Sequence, residues 1–71
     1  MKEPRFVREF RSYVVLQISG SDLDEDRKKI LVNKAYSSLD FLGRGMITVE
    51  ESMRILVDVL DYATGRKELE A

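Results

Sequence analysis

Two segments of this 71-residue chain carry apolar residues at helical spacing, and a short connection that contains two glycines separates them. The two stripes are Leu31, Ala35, Leu39 and Leu42 in the first segment, and Met53, Leu56, Val57 and Leu60 in the second. Such spacing places the apolar side chains along one side of an α-helix. Because Gly43-Arg44-Gly45 can only form a tight turn, the sequence predicts a helix hairpin.

Capping residues give the limits of the two helices. Asp22 with Glu25, and Thr48 with Glu51, have the spacing of a capping box, in which a side chain and a backbone N–H satisfy each other. Gly43 is well placed to end the first helix of the hairpin in a left-handed conformation. The hairpin therefore has a defined start for each helix and a glycine at the turn.

A further helix is predicted before the hairpin. Its apolar face is expected to consist of Phe6, Phe10, Tyr13, Val14 and Gln17. Residues 13–18 are rich in β-forming side chains and also match a strand. We favour a helix because the three-to-four spacing begins at Phe6 and no partner strand is evident elsewhere.

The predicted fold class is all-α, with one small three-helix domain that includes a helix-loop-helix hairpin. The expected ranges are helices near residues 5–19, 22–42 and 48–64, a polar C-terminal tail at 66–71, and a single domain over 1–71. A core this small supplies little net stability, so such chains often rely on a metal, disulfides or a second subunit.

Composition excludes several classes of function. The chain has no cysteine and no histidine, so thiolate chemistry and histidine-based catalysis are absent, and we expect no enzyme. The net charge of -1 gives no general attraction to nucleic acid or to a membrane. No apolar run reaches the roughly 20 residues that cross a bilayer, and a cytoplasmic location is expected.

The stretch from Asp40 to Glu51 has the spacing of a metal-binding loop. Counted from Asp40, carboxylates fall at positions one and twelve, glycines at four and six, and an isoleucine at eight. This pattern resembles the calcium loop of the EF-hand family, in which a glycine at position six makes the turn. Tyr36 and Leu39 before the loop and Leu56 after it match the apolar residues of that family's flanking helices.

The resemblance implies a calcium site, and the sequence departs from it at two positions. The implied ligands are Asp40, the main-chain carbonyl of Met46, Thr48 (directly or through water) and Glu51. Leu42 and Arg44 occupy positions three and five, where the family supplies side-chain oxygens. Since calcium needs six to eight oxygens, we expect a degenerate loop that binds calcium weakly or not at all, and no other cofactor.

A basic series in the first helix supports an alternative function. Arg5, Arg8 and Arg11 lie along one flank of the predicted helix and would suit phosphate contacts. In that reading the chain is a small helix-turn-helix regulator that binds nucleic acid. Glu3 and Glu9 dilute the positive charge, so a solvent-exposed flank is the favoured interpretation and nucleic acid is an unlikely partner.

The favoured function is a small helical protein–protein interaction module. The last helix carries a second apolar stripe that two neighbouring helices cannot fully cover, which predicts an exposed patch and a homodimer. The expected interface residues are Ile55, Val59, Tyr62, Tyr13 and Phe41. The expected partners are a second copy of the chain and a further protein that the sequence does not identify.

Overall fold

The computed structural model describes residues 4–66 and contains three α-helices in that range. The helices are α1 (Arg5–Ser19), α2 (Glu25–Gly43) and α3 (Val49–Ala63). The all-α class and the order of the three helices are thus confirmed for the described part of the chain. Apart from Arg66, the predicted polar tail at 66–71 lies outside the described residues.

The start of α2 differs from the predicted one. The N-cap is Asp24, whose carboxylate accepts a hydrogen bond from the backbone N–H of Arg27 at 2.8 Å, so the predicted cap at Asp22 is wrong. The hydroxyl of Ser21 donates to the carbonyl of Ile18 at 2.7 Å and closes the end of α1. Ser21 therefore belongs to the end of α1, and α2 begins after its N-cap at Asp24.

The turn between α2 and α3 depends on Gly45. Its φ is 75°, a left-handed conformation that glycine adopts without steric cost. The backbone N–H of Met46 donates to the carbonyl of Phe41 at 2.9 Å, and that of Gly45 donates to the carbonyl of Leu42 at 3.0 Å. This pair of bonds is a Schellman motif. The expectation that Gly43 ends the helix in a left-handed conformation is wrong, because α2 continues through Gly43.

The start of α3 agrees with the prediction. Thr48 and Glu51 form the complete capping box: the Thr48 hydroxyl accepts from the Glu51 N–H at 3.1 Å, and the Glu51 carboxylate accepts from the Thr48 N–H at 3.0 Å. After α3, Gly65 has a φ of 82°, and the N–H of Arg66 donates to the carbonyl of Asp61 at 2.8 Å. Both ends of α3 are therefore satisfied within the chain.

Each helix packs against the other two, with α2 antiparallel to both α1 and α3. The Lys28 ammonium near the start of α2 donates to the carbonyl of Ser19 at the end of α1, at 3.2 Å. The Arg11 guanidinium lies 4.8 Å from the ring centre of Tyr36. The buried apolar residues are Val7, Val14, Ile18, Leu31, Ala35, Leu39, Leu42, Leu56 and Val59.

The buried face of α1 includes Val14, as predicted, but is otherwise rotated from the predicted face. Val7, Val14 and Ile18 are fully buried, and at about 100° per residue they fall within about 40° of one another around the helix. Of the other predicted residues, Phe6 is 57% exposed and Tyr13 50% exposed, whereas Phe10 and Gln17 are half-buried. The branched aliphatic side chains enter the core, and the aromatic face of α1 remains largely accessible.

Candidate functional site

A groove lies between α2 and α3 and has a volume of about 440 Å³. Its lining consists of Ile30, Asn33, Lys34, Ser37, Ser38 and Phe41 from α2, and Ile55, Asp58, Val59 and Tyr62 from α3. None of these residues belongs to α1. Tyr36 and Lys28, two α2 residues that contact α1, are not part of the lining. The groove is therefore formed on a side of the hairpin that α1 leaves uncovered.

Helical spacing explains why these side chains share one surface. On α2 the lining includes positions 30, 34, 37 and 41, which recur every three or four residues along one helix face. On α3 the corresponding positions are 55, 59 and 62. Because the two helices are antiparallel, Ile30 and Tyr62 lie toward one end of the groove and Phe41 toward the other.

A buried pair of serines fixes the two helices beneath the groove. Ser38 and Ser52 are both fully buried, and their hydroxyl oxygens are 2.6 Å apart. The Ser38 hydroxyl is also 3.3 Å from the carbonyl oxygen of Ser52 and donates to it. Small side chains at this crossing let the two backbones approach, and the hydrogen bonds satisfy both hydroxyls. The sequence analysis missed this pair, although Ser38 lies three residues after Ala35 on the same buried face of α2.

The predicted interface residues separate into two groups. Ile55, Tyr62 and Phe41 line the groove, as expected of an accessible apolar surface on the hairpin. Val59 is only 1% exposed and lies at the base of the groove, and its role as a contact with a second copy stays a prediction. Tyr13 lies on α1, where its ring stacks with that of Phe10 at a centroid distance of 6.3 Å.

Ile30 is the large apolar groove residue that the sequence analysis did not identify. It is 53% exposed at one end of the groove, and Phe41 is 39% exposed near the other. Polar residues at 33, 34 and 37 interrupt the apolar pattern on this face of α2, so Ile30 does not form a stripe that can be read from spacing. Its proximity to α3 follows from the antiparallel register, which a single sequence does not display.

Opposite charges lie on the two sides of the groove. Lys34 is exposed on α2 and Asp58 is exposed on α3, and both line the groove. With Ser38 opposite Ser52 in an antiparallel pair, Lys34, four residues back along α2, is level with Leu56, four residues further along α3. Asp58 lies two residues beyond that level, so Lys34 and Asp58 differ in height along the groove by about 3 Å.

The residues implied as calcium ligands lie along the turn, where their side-chain oxygens have partners within the chain. The Asp40 carboxylate is 3.3 Å from the Arg44 guanidinium, and the side chains of Thr48 and Glu51 are engaged in the capping box. Within residues 4–66, no group of three acidic side chains is placed to hold a metal ion. Calcium binding through these residues and the carbonyl of Met46 stays a prediction.

Loop position three of the EF-hand pattern faces the core. Leu42 is 1% exposed, and α2 is helical through Gly43, so the first four positions of the pattern form the last turn of a helix. A carboxylate at position 42 would be buried among apolar side chains at a large cost. Arg44, at position five, is exposed and is the position where a ligand can be introduced without disturbing the core.

Glu51 is the titratable group whose pKa departs clearly from its ordinary value in the described chain. The hydrogen bond from the Thr48 backbone N–H lowers the pKa of Glu51, and the Thr48 hydroxyl and the Arg54 charge act in the same direction. Glu51 is therefore ionised at neutral pH when it forms the capping box with Thr48. Its role is to start α3, which carries one side of the groove.

The three arginines of the alternative function have different surroundings. Arg5 pairs with Glu9 at 3.1 Å, whereas Arg11 lies over the ring of Tyr36 on α2. From Arg5 through Arg8 to Arg11 the side chains progress by about 120° around α1. Arg5 and Arg11 thus have different partners, and phosphate binding by the three arginines stays a prediction.

None of the three described helices combines the length and the apolar character needed to cross a bilayer. The comparisons with known proteins gave no relative: no family model, no curated protein and no solved structure matches the chain.

Proposed function

We propose that this chain is a small helical protein–protein interaction module that self-associates as a homodimer through the α2–α3 groove. The observation that carries the proposal is the apolar surface that Ile30, Phe41, Ile55 and Tyr62 present around the groove on the side away from α1. Large apolar side chains grouped on one accessible surface are typical of an interface. The proposal also includes a loop that binds calcium weakly or not at all and a cytoplasmic location.

Burial of this surface would add to the stability of a small domain. Within residues 4–66 the core contains nine buried apolar residues, a small number for a chain that must also fix three helices. Apolar burial stabilises by about 25 cal/mol per Å², so covering even 100–200 Å² of this surface contributes several kcal/mol across both copies. A second copy of the chain carries the same apolar surface and can cover it in a symmetric dimer.

Sedimentation equilibrium of the unmodified chain tests the proposal. We expect the molar mass to rise toward twice the 8.2 kDa of the monomer as the protein concentration increases from low to high micromolar. Runs with millimolar calcium and with chelator should give the same association constant, because the loop is expected to bind calcium weakly or not at all. A chain that stays at the monomer mass at high micromolar concentration would overturn the proposed self-association.

A further inference from the structure

We infer that the second copy is related by a twofold axis parallel to the helices, so that α2 of each copy packs against α3 of the other and Lys34 of each faces Asp58 of its partner. This inference rests on the proposed function, since it specifies the partner and the register for the same groove. It assigns the charged residues of the groove, and not only its apolar ones, to recognition of a second copy.

The charges select this axis from the two that can bring the groove of one copy against the groove of another. An axis perpendicular to the helices, at the height of these residues, would place α2 on α2, with Lys34 against Lys34 and Asp58 against Asp58. An axis parallel to the helices exchanges α2 with α3 and preserves height along the groove. Because Lys34 and Asp58 differ in height by only about 3 Å, each then meets the opposite charge.

The apolar side chains fit the same arrangement. Ile30 and Tyr62 lie at the same end of the groove on different helices, so the exchange of α2 with α3 brings Ile30 of one copy to Tyr62 of the other. At the opposite end of the groove, Phe41 packs against the N-terminal part of the partner's α3, which precedes Ile55. The result is a four-helix layer in which neighbouring helices are antiparallel, a common geometry for helix bundles.

Charge reversal tests the pairing. Lys34→Glu gives each copy two acidic groups at the groove, and Asp58→Lys gives each copy two basic groups, so each variant alone repels itself. We expect each single variant to dimerise on the order of tenfold more weakly than the unmodified chain, since two exposed pairs change sign. The double variant Lys34→Glu/Asp58→Lys should recover the original association constant. Four equal association constants would overturn the pairing.

Cysteine cross-linking tests the register directly, because the chain has no cysteine of its own. The chains carrying Lys34→Cys and Asp58→Cys are oxidised separately and as an equimolar mixture, and the products are identified by mass spectrometry. We expect the mixed disulfide to dominate in the mixture and little cross-linking of either chain alone. Efficient cross-linking of each chain with itself would instead show α2 on α2 and overturn the inferred axis.

The outcomes for this inference and for the proposed function can be distinguished. If the unmodified chain is monomeric at high micromolar concentration, both fail. If it dimerises but the single-cysteine chains cross-link only with themselves, or charge reversal has no effect, the axis and the pairing fail while self-association stands. Circular dichroism of each variant confirms the helical fold, which exposed positions 34 and 58 should not disturb.

Discussion

Removal of the buried Ser38 hydroxyl should destabilise the chain more than removal of the Ser52 hydroxyl. In Ser38→Ala, the fully buried Ser52 hydroxyl loses the partner at 2.6 Å. In Ser52→Ala, the Ser38 hydroxyl still has the backbone carbonyl of residue 52 at 3.3 Å. An unsatisfied buried hydroxyl costs about 1–3 kcal/mol, and the better helix propensity of alanine returns about 0.5 kcal/mol. We therefore expect a net loss of about 1–2 kcal/mol for Ser38→Ala and less for Ser52→Ala.

The double variant makes this prediction sharper. In Ser38→Ala/Ser52→Ala no hydroxyl is left without a partner, and two small apolar side chains face each other. Its free energy of unfolding should be close to that of the unmodified chain. Ser12→Ala is the control, because the Ser12 hydroxyl donates to the Arg8 carbonyl at 3.1 Å on the exposed side of α1. We expect the control to change stability by less than about 0.5 kcal/mol.

Urea unfolding followed by circular dichroism measures all four variants. One protein concentration must be used throughout, because the stability of a self-associating chain depends on concentration. Equal losses for the two single variants, with a double variant that loses their sum, would show that the hydroxyls act independently. That result would refute the reasoning about the Ser38–Ser52 contact.

Three further predictions concern the turn and its caps. Gly45→Ala should lower the free energy of unfolding by about 1–2 kcal/mol in thermal unfolding, because a φ of 75° strains an L-residue even though a Cβ would meet nothing within 4 Å. The control Gly20→Ala, at a negative φ, should be nearly neutral. Equal effects of the two substitutions would contradict this prediction. Because the pKa of Glu51 is lowered from 4.5, the stability that its carboxylate adds is complete above pH 4.5 and is lost as the pH falls below that value. The melting temperatures of the unmodified chain and Glu51→Gln should therefore differ at pH 7 and converge in acid. A difference that does not change with pH would contradict this prediction. In calorimetry, calcium should bind more weakly than the roughly 10⁻⁷–10⁻⁵ M of sensor loops, and Arg44→Asp should strengthen binding; no gain would count against the resemblance to the EF-hand family.

The number, order and approximate limits of the helices could be predicted because they depend on local sequence. Thr48 and Glu51 act over one helical turn, so their spacing alone was enough to predict the capping box and the start of α3. The start of α2 was less well defined, since Asp22 and Asp24 are both competent caps. Only the way the chain leaves α1 through Ser21 decides between them.

The choice of buried face on α1 could not be predicted from spacing. The predicted residues 6, 10, 13, 14 and 17 and the buried residues 7, 14 and 18 follow helical periods on adjacent, overlapping sides of the same helix. The predicted side carries the aromatic residues, yet Val7, Val14 and Ile18 are the fully buried side chains. Which face fits depends on the shapes of the other two helices.

The groove was predicted in part for the same reason. Ile55, Tyr62 and Phe41 were identified because the apolar residues on and around α3 occupy more of the helix surface than two neighbouring helices can cover. Val59 was predicted as an interface residue and lines the groove as a buried side chain, and Ile30 was not identified. The position of Ile30 beside α3 depends on the register between α2 and α3, which spacing within one helix does not contain.

The most direct test of the central claim compares two exposed apolar positions on different sides of the molecule. Ile30→Glu places a charge at the groove, and Leu16→Glu places the same charge on α1, where Leu16 is 68% exposed. Sedimentation equilibrium is measured at a concentration where the unmodified chain has a molar mass near twice 8.2 kDa. The account predicts that Ile30→Glu sediments as a folded monomer and Leu16→Glu as a dimer. A dimeric Ile30→Glu chain, or a monomeric Leu16→Glu chain, would contradict the assignment of self-association to the groove.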